Sequence, residues 1–203
     1  MSDFNPRYVP PDWAYAFHGH RCPFMPLGYR MGLLALERLD IERERDHTLH
    51  VIAELGEGHP QTCLMDGIQV ATGATFGKTL MDKTFWGKLA ATFWFPGRTA
   101  LRFALKASFL DEFGKFEFFT HRKRGIEPSQ IPTAVTDEVV AWTLAQPDAA
   151  IYAVADRPDF RYEPAKGSFN RSLCSVCGEY VFERYARTKD GKPVCIPCSG
   201  YKG

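Results

Sequence analysis

Four cysteines near the end of the chain limit its possible folds more than any other residues. They form two Cys-x-x-Cys pairs, Cys174 with Cys177 and Cys195 with Cys198, with residues 178–194 between them. A two-residue gap lets both sulfurs of a pair reach one ion from a tight knuckle, and zinc takes four thiolates tetrahedrally. Between the pairs, YVFERYAR alternates like a strand, and Asp190-Gly191 is a hairpin turn that sends KPVC back toward the ion. So short a stretch buries little apolar surface, so metal binding supplies its folding free energy. Four cysteines close the coordination sphere, which makes the zinc structural. The spacing predicts a treble-clef or zinc-ribbon-like module over 171–203.

Ahead of this module, DRPDFRYEPAKGSFNRS carries prolines, a glycine and many charges, which reads as a connection. The expected organisation is a core domain over 1–160, a linker over 161–170 and the finger. From Pro164 onward there are seven lysines and arginines against three acids, although the whole chain has a formal net charge of only +1. The tail is therefore basic and the body mildly acidic. That permits a nucleic-acid or protein partner for the finger without demanding one. No apolar run approaches the roughly 18 residues of a membrane span. The N-terminal MSDFNPRYVPPDW has no basic start before an apolar run, so a cytoplasmic protein with no membrane association is expected.

The core mixes helical and strand patterns without a βαβ rhythm, which predicts an α+β fold. Asp12 is placed as the cap of a short helix, WAYAF. The pattern then predicts a buried helix over 27–39, a strand over 47–55 and a helix over 63–73 ended by Gly73. Strands over 89–95 and 99–107 flank a Pro96-Gly97 turn. FLDEFGKFEFFTHRKRG reads as one or two short helices. A helix over 136–146 capped by Thr136, and a last strand over 150–155, complete the core.

The remaining two cysteines belong to chemistry-bearing stretches. In FHGHRCPFMPLGYR, His18, His20 and Cys22 alternate, and Pro23 favours an extended conformation before it. Alternate residues of an extended segment point one way, so the three side chains face one spot. Nitrogen and thiolate donors suit zinc, iron, nickel or copper. A fourth group is Cys63, at the start of a helix with Thr62 as its cap, where the helix N-terminus favours the thiolate. Asp66 lies one turn on, and His59 and Lys78 flank this unit. Taken alone, Cys63 fits a buried packing role equally well.

These two stretches, FHGHRCPFMPLGYRMGLLAL and CLMDGIQVATGATFGK, resemble the FmdE family of formylmethanofuran dehydrogenase proteins over about residues 12–155. His18, His20, Cys22, Cys63, Asp66, Gln69 and Lys78 match its motif positions. The resemblance implies an α+β core, a homodimer and an association with the molybdenum or tungsten enzyme of methanogenesis. One position departs: the family has a cysteine where this chain has Ala74.

The expected protein is thus an FmdE-like metal-binding protein. In it, His20, Cys22 and Cys63 hold a second metal (zinc, nickel or iron). His18, Cys63, Asp66 and Lys78 are the candidate catalytic groups, and His18 is a ligand or a partner of one. Two other readings stand beside it. One is an adaptor whose finger binds nucleic acid or protein. The other is a hydrolase with Cys63 as nucleophile and His20 as base.

Overall fold

A computed structural model describes residues 5–58 and 61–201. His59 lies outside the described residues. The chain divides into two compact units, Met1–Phe160 and Arg161–Gly203.

The first unit opens with α1 (Asp12–His18) and α2 (Phe24–Leu39), followed by β1 (His50–Ala53), α3 (Cys63–Thr72) and β2 (Met81–Lys83). A hairpin of β3 (Ala90–Trp94) and β4 (Ala100–Leu105) turns at Pro96-Gly97, where Gly97 has φ 77°. Two short helices follow, α4 (Ala107–Phe113) and α5 (Glu117–Lys123), and then α6 (Thr133–Ala145), α7 (Asp148–Ile151) and β5 (Tyr152–Arg157). The five strands form one sheet in the order β2-β1-β3-β4-β5. It is antiparallel except at its edge, where β2 runs parallel to β1 with Val51 beside Met81. The α+β class expected from the sequence is what the chain adopts.

Several boundaries move for local reasons. Asp12 is the first residue of α1 rather than its cap, since Pro11 precedes it and no side chain bonds the end. The strand at 47–55 shrinks to β1 because the Glu44 carboxylate accepts the Thr48 and Leu49 N–H groups and turns the chain there. Helix α6 starts a turn early, behind Pro132, so Thr136 is a buried interior residue and not a cap. The last strand yields its first two residues to α7.

Helices α2 and α3 pack backbone to backbone. A Cβ on Gly28 would lie 1.9 Å from the Leu64 carbonyl oxygen, and one on Gly67 would lie 2.2 Å from that of Met25. Only glycine permits this approach. Met25, Leu27 and Met31 of α2 and Leu64 and Ile68 of α3 share one buried core with Phe93 and Phe103 of the sheet. Two polar groups inside this core are firmly paired. Arg102 meets the buried Glu54 carboxylate through two 2.7 Å hydrogen bonds, and the Tyr152 hydroxyl donates to the Leu27 carbonyl.

The second unit contains β6 (Arg171–Leu173) paired with β7 (Tyr180–Phe182), then β8 (Arg187–Lys189) paired with β9 (Lys192–Val194), and α8 (Ile196–Ser199). The single strand expected at YVFERYAR is broken by a 3-10 turn at Glu183–Tyr185. Asp190 and Gly191 both take positive φ, 50° and 71°, which is the two-residue turn that matches strand twist.

Candidate metal centre

The core cluster is assembled from three chain segments. Helix α1 ends at His18, and Gly19, at φ 90°, closes it with its N–H on the Tyr15 carbonyl. The chain therefore reverses between the two histidines. His18 is helical, so the residues are gathered by a helix end and not by the alternation of an extended strand. Arg21, between His20 and Cys22, forms an ion pair with Asp137 of α6. Pro23 leads into α2, whose Phe24 and Met25 N–H groups bond the Cys22 sulfur. Cys63 is the first residue of α3. Thr62 precedes it but makes no side-chain capping bond. The glycine contacts between α2 and α3 bring the two helix starts together, and Cys22 and Cys63 with them.

One donor atom from each of His18, His20, Cys22 and Cys63 lies within 4.8 Å of all the others. In a tetrahedral zinc site, nitrogen and sulfur ligands stand about 2.0–2.3 Å from the ion, so donors fall roughly 3.3–3.8 Å apart. A small contraction would bring this set to that spacing. Both thiols are buried. The Cys22 thiol is pushed well up by its hydrogen bond with Cys63 and by burial.

Asp66 joins the cluster through His18, whose Nδ1 lies 2.7 Å from Asp66 Oδ2. A short relay orients the carboxylate. The Phe76 N–H donates to Gln69 Oε1 at 2.9 Å, so the amide nitrogen of Gln69 is the end that donates to Asp66 Oδ1, at 3.1 Å. Asp66 Oδ1 is thereby an acceptor, and an ionised carboxylate accepts from His18 Nδ1–H at Oδ2. His18 Nε2 is buried and has no nitrogen or oxygen partner among the described residues. The Asp66 carboxylate, followed by the Cys63 sulfur, pushes His18 up to about 9. A histidine keyed by a carboxylate and offering its other nitrogen is the arrangement found at metal ligands. In the sequence, Gln69 is only a motif match. Nothing in spacing alone marks it as the residue that orients Asp66.

The cluster has two different sides. His20, Cys22 and Cys63 border a small, mostly apolar void of ≈ 30 Å³ with Phe24, Phe118, Phe119, Pro128 and Arg122. His18, Asp66 and Cys63 border an open cleft of ≈ 340 Å³ with Thr62, Met65, Gln69 and Phe76. Lys78 lines neither. Its ammonium reaches the Glu44 and Arg45 carbonyl oxygens at 3.4 and 3.5 Å. Ala74 is buried beyond the far end of α3, about 16 Å from residue 63 at the helical rise. A thiol there would not meet Cys63 within one chain.

In the second unit the donor atoms of Cys174, Cys177, Cys195 and Cys198 also lie within 4.8 Å of one another, and the Cys177 and Cys195 sulfurs are 3.9 Å apart. Gly178, at φ 73°, closes the first knuckle with its N–H on the Cys174 carbonyl. Backbone N–H groups of Cys177 and Cys195 hold the Cys174 thiol down to about 6, which favours the thiolate that zinc requires.

An α+β core bearing an imidazole–thiol cluster, followed by a four-cysteine finger, defines a metal-binding protein of two units. The chain belongs to the FmdE family: the family described as "FmdE, Molybdenum formylmethanofuran dehydrogenase operon" matches residues 17–152. The "Prokaryotic dksA/traR C4-type zinc finger" matches residues 167–202, which makes the tail a C4 zinc finger with a structural zinc. A protein of Archaeoglobus fulgidus named "Probable S-adenosyl-L-methionine-binding protein" is 29% identical over 205 residues, covering 92% of this chain and 51% of its own length. The chain thus spans about half of that curated relative. The fold is shared with an FmdE-like protein of the tungsten formylmethanofuran dehydrogenase type from Syntrophus aciditrophicus. That crystal structure matches at 20% identity with a TM-score of 0.56, covering 92% of this chain and 88% of the other. Among the described residues, no helix is long and apolar enough to cross a membrane.

Proposed function

We propose that the core holds a transition metal through His20, Cys22 and Cys63, with His18 and Asp66 working at the open side of the same site. The observation that carries this reading is the division of the cluster between its two cavities. His20 and Cys22 border the small, mostly apolar void, whereas His18 and Asp66 line the cleft that a substrate can enter. Zinc, nickel or iron bound there would supply Lewis acidity at a coordination position open to the cleft. His18, held between Asp66 and Cys63, keeps a proton inside the cluster in the metal-free protein at neutral pH. It links the cluster to the Asp66 carboxylate, which borders the cleft and is placed to exchange a proton with a bound molecule. Phe24, Phe118 and Phe119 give the opposite side its apolar lining. Lys78, anchored on carbonyls, takes no part.

The family's description, which names a molybdenum formylmethanofuran dehydrogenase operon, supports placing this activity beside a molybdenum or tungsten enzyme of that type; the proposed form is a cytoplasmic homodimer. It does not identify the molecule bound in the cleft. Metal content tests the proposal. The full chain is expected to carry two metal ions, one in the finger and one in the core. Cys22→Ser and Cys63→Ser should each remove the core ion alone. The double variant should be little worse, because ligands of one ion act as a unit. His18→Ala should retain the ion at an affinity lowered on the order of 10- to 100-fold. One ion per chain, unchanged in both cysteine variants, would return Cys22 and Cys63 to packing roles.

A further inference from the structure

The β6–β7 hairpin of the finger exposes a face that zinc binding does not use. Its register pairs Arg171 with Phe182 and Leu173 with Tyr180. Paired residues of an antiparallel ladder, and alternate residues of one strand, share a face. Arg171, Leu173, Tyr180 and Phe182 therefore lie together, on the side opposite Ser172 and Val181. The three apolar members are 53%, 65% and 51% exposed, while Ser172 and Val181 are only partly so. A module this small would gain stability by turning those rings inward, yet it presents them to solvent.

The chemistry of the face selects its occupant. Tyr180 and Phe182 are two residues apart on one strand, so their backbone positions stand about 6.8 Å apart. Rings carried at that spacing on a sheet surface receive successive unstacked bases, as they do in sheet-based RNA-binding modules. The guanidinium of Arg171 lies 4.4 Å from the centre of the Tyr180 ring, and the face itself contains no acid. Arginine over an aromatic ring extends the stacking platform and supplies positive charge. The β8–β9 hairpin of the same unit carries Lys189 and Lys192, which pair across a turn that also holds Asp190. From Pro164 onward cations outnumber acids seven to three, the balance that attracts phosphate.

We infer that the β6–β7 face of the finger binds single-stranded nucleic acid, with bases stacked on Tyr180 and Phe182 and phosphates on Arg171 and the other cations of the unit. The platform reads no base edges, so binding is tolerant of sequence and favours single strands over duplex. The inference does not depend on the metal proposed for the core.

The test is fluorescence anisotropy of the full zinc-loaded chain with labelled 20-nucleotide oligo(dT) and oligo(U), and with a duplex of equal length. Single strands should bind more tightly than duplex, with log K falling against log salt at a slope of about −2 for three neutralised phosphates. Tyr180→Ala and Phe182→Ala should each weaken binding about tenfold. Arg171→Ala should weaken it and flatten the salt slope. All three variants should retain the finger's zinc, which separates loss of a contact from loss of the fold. Failure to bind either oligonucleotide, or affinity unchanged in the aromatic variants, would overturn the inference. So would self-association of the chain that Phe182→Ala abolishes, because the face would then belong to a second copy.

Discussion

Gly28 and Leu64 are in contact through backbone alone: a methyl group on Gly28 would sit 1.9 Å from the Leu64 carbonyl oxygen. This crossing holds the start of α2 against the start of α3. In a free helix, glycine to alanine gains up to about 1 kcal/mol. Here the helices must separate, and Gly28→Ala is expected to destabilise the chain by about 3 kcal/mol in urea unfolding. It should also speed maleimide labelling of Cys22 and Cys63. Gly77→Ala, with nothing within 4 Å of the added carbon, should change stability by no more than about 0.5 kcal/mol. Equal effects at the two positions would show that the crossing yields easily.

Asp66→Asn removes the first cause of the raised His18 pKa. In the chelator-treated chain, NMR titration should find His18 near 9 in the parent and displaced toward 6.5 in the variant. The linked stability follows the sign of a raised pKa. The parent's advantage should be full below pH 6.5 and should disappear as pH rises through about 9. A parent His18 titrating near 6.5 would mean that the carboxylate does not engage it in solution.

Glu54 has the opposite sign. The hydrogen bonds from Arg102 hold its carboxyl below its ordinary value of 4.5. Its stabilisation is therefore present above pH 4.5 and is lost as pH falls through the lower folded value. Glu54→Gln leaves a partly buried guanidinium without its counter-charge, at an expected cost of about 2 kcal/mol near neutrality. Parent and variant should converge in acid. A gap that persists to about pH 2 would place the effect in packing instead.

Cys174→Ser should eliminate the finger's zinc and unfold that unit, because one thiolate of a closed four-sulfur shell supports the rest. The core, with its own buried cluster of apolar residues, is expected to keep its melting transition. Limited proteolysis should then cut within residues 156–172. Digestion of the whole chain at the same rate would show a single cooperative unit.

What could be read from the sequence follows from how local each signal is. Helix α3 is legible because Gly73 and the apolar pattern before it lie within a few turns, and the β8–β9 turn because Asp190-Gly191 specifies it alone. Strand β2 is not: Met81–Lys83 has no pattern of its own and exists because β1 offers it a parallel edge. The start of α6 moves because Pro132 ends the preceding extended segment more decisively than Thr136 can cap. Strand geometry leads one to expect His18, His20 and Cys22 together, but the structure groups them with a helix end and Gly19. Gly28 and Gly67 pass for ordinary helix glycines until the two helices are brought together, and the relay through Gln69 is a property of three separate segments.

The two cysteine sets differ in how far apart their members lie along the chain. The finger's knuckles each draw on neighbours within one turn, so a refolding chain can hold an ion there before any distant contact exists, and the ion then organises the peptide. Cys22 and Cys63 meet only after α2 and α3 have crossed at their glycines. Loading of the core is therefore expected to be a late event that reports a completed fold. During refolding from the denatured state under scarce metal, the C-terminal unit would compete for ions while the N-terminal ligands were still scattered.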